Sequence, residues 1–131
     1  MQKSVKLRAY YHDCVLPPDA PKAGNIEYTD LLAAAPYILE FRKRFPTTNG
    51  MGPQGYNYRK DAQKFIHKMY AIFDSTYKTT EGMLIWIDAD TFTKKRVTRQ
   101  FLEKMIGKAP VVHLGRSAIN YSETSFMAFN M

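Results

Sequence analysis

A chain of 131 residues, 45% hydrophobic and 14% aromatic, supports one compact core and leaves no length for a second domain of ordinary size. Nineteen Lys and Arg against twelve Asp and Glu give a formal net charge of +7, a potential that favours anionic partners such as nucleotides, phosphates or nucleic acid. Cys14 is the single cysteine, which excludes an internal disulfide, a Cys-based zinc cluster and a CxxC redox pair and fits a reducing, cytoplasmic setting.

No run approaches the roughly 18 apolar residues of a membrane span, and residues 1–15 lack the uninterrupted apolar stretch of a signal peptide. Residues 4–11 alternate apolar and polar, with Val5, Leu7, Ala9 and Tyr11 on the face predicted to be buried in a first strand. Pro17, Pro18 and Pro21 then forbid regular structure. A helical pattern is predicted from Tyr28, with Thr29 as N-cap and Leu31, Leu32 and Ala35 on one side, and Pro36 opens a second helical piece carrying Ile38, Leu39 and Phe45. Residues 46–57 concentrate Thr, Asn, Gly and Pro and read as an exposed loop that could close over a ligand.

Ala62, Phe65, Ile66, Met69, Ile72 and Phe73 recur at spacings of three and four, predicting an amphipathic helix over residues 59–77 whose apolar stripe is core. Residues 83–87, Met-Leu-Ile-Trp-Ile, form an apolar run too short for a helix. Such a run fits a central parallel strand covered by helices on both sides. Residues 97–106 predict a further short helix closed by Gly107, and residues 111–114 and 125–129 read as strands. The alternation is that of an α/β layer with a mostly parallel or mixed sheet.

Asp88 and Asp90 stand at the carboxyl end of the 83–87 strand, where open α/β sheets collect their ligands. Two carboxylates one residue apart can turn toward one cation, and hard oxygen ligands suit Mg2+ or Mn2+ bridging phosphate oxygens. The bland alternative is an exposed turn, in which Asp is common. Lys94, Lys95 and Arg96 follow as a solvated basic stretch. Cys14, beside His12 and Asp13, reads as a half-buried structural thiol. His67, on or near the polar side of its helix, and His113, in a strand, have no metal-ligand spacing between them and read as structural side chains.

The run Trp86-Ile87-Asp88-Ala89-Asp90-Thr91 resembles the DxD motif of GT-A glycosyltransferases, the nucleotide-diphospho-sugar transferase fold. The resemblance extends in order through Tyr58-Arg59-Lys60-Asp61-Ala62-Gln63-Lys64-Phe65, Leu114-Gly115-Arg116 and Tyr121-Ser122-Glu123-Thr124-Ser125-Phe126, and covers roughly the last two thirds of the chain. It looks like a small bacterial or phage-type sugar transferase. The resemblance implies a Rossmann-like GT-A core and metal-dependent transfer from a nucleoside-diphosphate sugar to an acceptor that the sequence does not specify. Asp90 would be the principal metal ligand, with Asp88 on the same cation or the ribose. Arg59 and Asp61 would approach the nucleotide or donor sugar, although at a helix start they equally suit the helix dipole. Arg116 would hold phosphate or acceptor, and Glu123 would face the acceptor hydroxyl as a general base or hydrogen-bond partner. At this length a single partial or reduced domain is expected, and a terminal strand edge would favour pairing with a second copy.

Two other readings compete. Haloacid dehalogenase-type phosphatases also place Asp-x-Asp after an apolar strand, but want Thr or Val two residues after the second Asp, where this chain has Phe92. A non-catalytic nucleotide- or metal-binding fragment, or a basic binding module, fits the charge, although no nucleic-acid-binding motif is recognisable among the aromatic residues.

Overall fold

The computed structural model of the protein describes residues 5–115 and 122–131, with residues 122 and 123 described by backbone alone. Among them the chain is mixed α/β, with four helices and seven strands in three small sheets. They fall into two compact units, Met1–Ser75 and Thr76–Met131.

In the first unit β1 (Leu7–Tyr11) pairs in parallel with β2 (Ile26–Asp30), Leu7 opposite Ile26 and Tyr11 opposite Asp30. The expected first strand is present, but its two faces are not divided as the alternation predicts, since residues 8–11 are all half-buried. Val5 and Leu7 are exposed, whereas Arg8 and Tyr10 reach the last turns of α3 (Ala62–Tyr77). The Arg8 guanidinium donates to the Ser75 carbonyl at 3.2 Å, and the Tyr10 hydroxyl lies 2.6 Å from Asp74 Oδ2 and 2.8 Å from Ser75 Oγ. Polar groups are buried only where partners exist, and this stretch of α3 supplies them. The alternation alone could not say which face would find such partners.

A strand, not a helix, occupies residues 26–30. Ile26, Tyr28 and Thr29 are strong strand formers, and the N-cap is Asp30, whose carboxylate accepts from the amides of Leu32 at 2.9 Å and Ala33 at 3.3 Å. The short α1 (Leu31–Ala34) follows, then Pro36 caps α2 (Tyr37–Arg44), whose last turn carries Arg42, Lys43 and Arg44 at the favourable end of the helix dipole. Among the described residues of this unit, Leu31, Ala35, Ile38, Ala71 and Ile72 are the buried apolar side chains. Complete burial of Ile38 is worth about 2 kcal/mol of transfer free energy.

The loop expected at residues 46–57 is a hairpin. β3 (Asn49–Gly52) pairs antiparallel with β4 (Gly55–Asp61), with a bulge between Asn49 and Met51. Gly50 and Gly55 adopt φ of 76° and 92°, angles that glycine reaches without steric cost. The concentration of turn formers thus marks a tight turn at Pro53-Gln54 and a bulge. β4 continues through Arg59 and Lys60, so the helix predicted from residue 59 begins at Ala62.

The stripe read on α3 is buried only in part. Ile72 is buried and Ile66 half-buried, but Phe65, Met69 and Phe73 are exposed, and the other buried positions are His67, Ala71 and Ser75. Positions 67, 71 and 75 share one face at four-residue spacing. That face meets the polar side of β1.

In the second unit β5 (Met83–Ile87), β6 (Val111–Gly115) and β7 (Ser122–Asn130) form one sheet in the order β5-β7-β6, with β7 antiparallel to both neighbours. The 83–87 strand is therefore an edge strand, not a central parallel one. Its unbroken apolar run does not report which strand holds the middle; the nine-residue β7, arriving last, pairs along both edges. α4 (Arg99–Ile106) lies between β5 and β6 in sequence, capped by Thr98 Oγ1 accepting from the Phe101 amide at 3.2 Å and ended by Gly107 at φ 56°, as its pattern predicts. Ile106 and Ala128 are the buried apolar side chains here. No described helix is long and apolar enough to cross a membrane.

Candidate functional site

β5 delivers Asp88 and Asp90 directly. The ladder runs one residue past the strand, with the Asp88 amide donating to the Ser125 carbonyl at 2.9 Å, and the chain then turns so that the Thr91 amide donates to the Asp88 carbonyl at 2.9 Å. The Trp86 indole N–H donates to Asp88 Oδ1 at 2.7 Å, which fixes that carboxylate beside the strand end. Asp90 stands on the turn, solvent-exposed, and its carboxylate makes no hydrogen bond or ion pair with another described residue.

β5 and β6 both run antiparallel to β7, so their carboxyl ends lie at the same end of the sheet as the start of β7. Ile87 faces Phe126, and Leu114 and Gly115 face Glu123 and Ser122. The backbone of Glu123 therefore belongs to the sheet end that bears Asp88 and Asp90. Arg116 lies outside the described residues, immediately after β6. Lys94, Lys95 and Arg96 are exposed. Asp88, oriented by an indole, and Asp90, open to solvent, each present oxygen donors, the ligand type that suits Mg2+ or Mn2+.

Arg59 and Asp61 belong to the other unit. Arg59 does not open a helix, whereas Asp61 stands at the start of α3. Arg59 is in β4, its guanidinium 5.7 Å above the Tyr58 ring with Nε 3.2 Å from the Tyr58 hydroxyl. Asp61 ends β4 and caps α3, Oδ1 accepting from the Lys64 amide at 2.9 Å and Oδ2 from the Tyr56 hydroxyl at 2.9 Å. That hydrogen bond to a carboxylate is the first cause of the raised Tyr56 pKa.

A second cluster in the first unit was not singled out by the sequence. Arg8, Tyr10 and His12 share one side of the β1 line, and they meet Ser75, Asp74 with Ser75, and His67 in turn. Four strand steps span about 13 Å, and the eight residues from His67 to Ser75 span about 12 Å of helix. The two spans are of similar length, although Arg8 and Tyr10 both meet Ser75, and the His12 and His67 rings stack with centroids 4.1 Å apart and 19° between planes.

His67 is buried, at 8% exposure, and not on the polar side of its helix. Its Nδ1 lies 3.1 Å from the Lys64 carbonyl. A carbonyl only accepts, so the proton is assigned to Nδ1 and Nε2 presents its lone pair. Arg42 Nη2 donates to that nitrogen at 2.7 Å and to Asp13 Oδ2 at 3.2 Å. Burial, more than any neighbour, pushes the His67 pKa down and keeps the ring neutral. Asp13 also lies 3.1 Å from His12 Nδ1; hydrogen bonds from His12 and then Arg42 hold its carboxyl below the usual range. Asp13 is the one described non-glycine residue at positive φ, 53°, a conformation costing about 1–2 kcal/mol. One ligand atom each from His12, Asp13 and His67 lies within 4.8 Å of the others. Cys14, next in the chain, is exposed and not half-buried.

The signal for this cluster was the placement of His12-Asp13 at the carboxyl end of a strand, the same criterion that singled out Asp88. The missing information was that β1 is parallel to β2 and that α3 turns His67 toward it. No family model, curated protein or solved structure matches the chain.

Proposed function

We propose that the protein is a metal-dependent transferase acting on a nucleoside-diphosphate sugar, with the β5–α4–β6–β7 segment as part of a Rossmann-like GT-A core. The observation that carries this reading is the turn after β5. It pairs an indole-oriented carboxylate on Asp88 with a solvent-open carboxylate on Asp90 at the end of an apolar strand. The order of the segments that resemble GT-A transferases supports the same reading.

In this proposal Asp90 and Asp88 hold Mn2+ or Mg2+. The bound cation supplies charge neutralisation for the departing nucleoside diphosphate. Asp88, fixed by Trp86, orients the diphosphate end of the donor, and the exposed turn admits it from solvent. The acceptor oxygen attacks the anomeric carbon, the bond from that carbon to the diphosphate oxygen breaks, and the acceptor proton passes to the Glu123 carboxylate as general base. The formal charge of +7 favours encounter with an anionic donor.

The test is calorimetric titration of the protein with UDP and with GDP, each in manganese and in chelator. Manganese-dependent binding of one nucleotide is expected in wild type and is expected to be lost in Asp90→Ala, with the far-UV circular dichroism unchanged. Absence of binding to either nucleotide in manganese overturns the proposal. Binding that Asp90→Ala leaves intact removes the turn from the site.

A further inference from the structure

The His12–Asp13–His67 cluster has chemistry different from the Asp88–Asp90 turn. Its donors are two imidazoles and one carboxylate, a set that suits zinc and neighbouring first-row transition metals, whereas an all-oxygen set suits magnesium or manganese. His67 is already arranged as a ligand. Its far nitrogen is tied to the Lys64 carbonyl at 3.1 Å, the backbone contact that in metal sites fixes the tautomer and aims the other nitrogen. Asp13 is held at φ 53° beside His12, with its ligand oxygen within 4.8 Å of the His67 ligand nitrogen. Non-glycine residues in this region persist where the surroundings hold them, often at binding sites.

A cation already stands where these donors converge. Arg42 Nη2 takes the Nε2 lone pair of His67 at 2.7 Å and an oxygen of Asp13 at 3.2 Å. Two of the three candidate ligands thus spend their donor atoms on one guanidinium nitrogen. Arg42 is on α2 with its side chain 29% exposed, and the cluster borders an open cleft of about 430 Å3 lined also by Asn49, Asp61, Gln63 and Lys64. That space can receive the displaced guanidinium and the water that completes a three-ligand site. His12 and Asp13 are exposed, so the metal has an open approach.

We propose that His12, Asp13 and His67 form a binding site for a divalent transition metal of the zinc type, in which Arg42 is the resident cation that the metal displaces. The site lies wholly within the first unit and does not depend on the transferase reading. It predicts an unusual result: removing the arginine improves metal binding, because the arginine competes for the ligands. If Arg42 instead only braced the ligands, its loss would weaken binding.

The experiment uses the full chain, stripped with chelator and titrated with Co2+, read by the ligand-field absorption that imidazole coordination produces, and in parallel with Zn2+ by calorimetry. Wild type is expected to take one equivalent of either ion. Arg42→Met is expected to bind on the order of tenfold more tightly, the worth of one charge-assisted hydrogen bond no longer competing. His12→Gln and His67→Gln are each expected to weaken binding by at least tenfold, a loss at the low end of what even outer-shell partners cause. His12 is exposed, so its variant keeps the test decisive if His67→Gln fails to fold. His113→Gln is expected to bind as wild type does. No cobalt absorption in either wild type or Arg42→Met overturns the proposal. So does binding that survives His12→Gln, or binding that Arg42→Met weakens.

Discussion

Asp61→Ala separates a structural from a ligand-binding role at a position that the GT-A resemblance assigns to the nucleotide. Asp61 makes two contacts. Its Oδ1 accepts from the Lys64 amide at 2.9 Å, capping α3, and its Oδ2 accepts from the Tyr56 hydroxyl at 2.9 Å, tying the hairpin to the helix start. Loss of an Asp cap costs about 1 kcal/mol. Tyr56 is 55% exposed, so its released hydroxyl finds water and that contact adds only about 0.5 kcal/mol. The expected loss is about 1.5 kcal/mol. With a urea m-value of about 1.5 kcal/mol/M, the midpoint falls by about 1 M. The assay is urea unfolding followed by far-UV circular dichroism, which reads helix content directly; the single tryptophan, Trp86, lies in β5. Asp61→Asn keeps an oxygen acceptor of nearly equal capping strength and is expected to recover all but about 0.5 kcal/mol. Coincident midpoints for Asp61→Ala and wild type would falsify the cap assignment. Equal damage from Asn and Ala would mean that charge, not the cap hydrogen bond, is what Asp61 contributes.

Gly50→Ala places a Cβ 2.8 Å from the Asn57 carbonyl oxygen and 2.8 Å from Tyr56 Cε2 at φ 76°. The tyrosine ring can move and the backbone oxygen cannot, so strain of about 1–2 kcal/mol plus the clash is expected to lower the thermal midpoint measurably. Burial, then the hydrogen bond to Asp74, pushes the Tyr10 pKa from 10.0 up to about 12. Between those values the unfolded chain loses its phenolic proton first, so this contribution to stability is complete below pH 10 and is lost as pH rises through about 12. Tyr10→Phe is expected to lower the urea midpoint near neutrality and to flatten its alkaline decline; an unchanged decline refutes the assignment. Burial pushes the His67 pKa below 6.5, so the unfolded state binds more protons in the window just under that value and stability falls as pH falls through it. His67→Gln is expected to flatten this acid limb, measured as urea midpoint against pH.

Local chemistry was legible wherever a single segment contains its own cause. The proline-rich loop, the Pro36 start of α2, the Gly107 stop of α4, and the existence of β1, β5, β6 and β7 all follow from residues within a few positions. Errors arose where the deciding partner is distant. Tyr28 and Thr29 belong to a strand because residues 7–11 lie beside them. Residues 46–57 form a hairpin because two glycines adopt positive φ, which a loop composition equally permits. The stripe on α3 was assigned to the core by hydrophobicity, yet the face that meets β1 is the one whose Ser75 and His67 answer Tyr10 and His12. Hydrogen bonding at Ser75 and ring stacking at His67 act there beside the buried Ala71 and Ile72.

The two candidate metal positions show the same division. Asp88 and Asp90 are one residue apart, so the strand end and both carboxylates are visible in one short window. His12, Asp13 and His67 meet only because a strand and a helix distant in sequence lie side by side, and no local pattern encodes that contact. Their donors differ in kind, which makes the pair separable without a substrate. Manganese with a nucleotide should respond to Asp90→Ala and be indifferent to His12→Gln, while cobalt absorption should respond to His12→Gln and be indifferent to Asp90→Ala. If instead both substitutions weaken both signals, the metal responses are not those of two independent sites. The assignment of hard and borderline donors to separate units then fails, whichever reaction the protein catalyses.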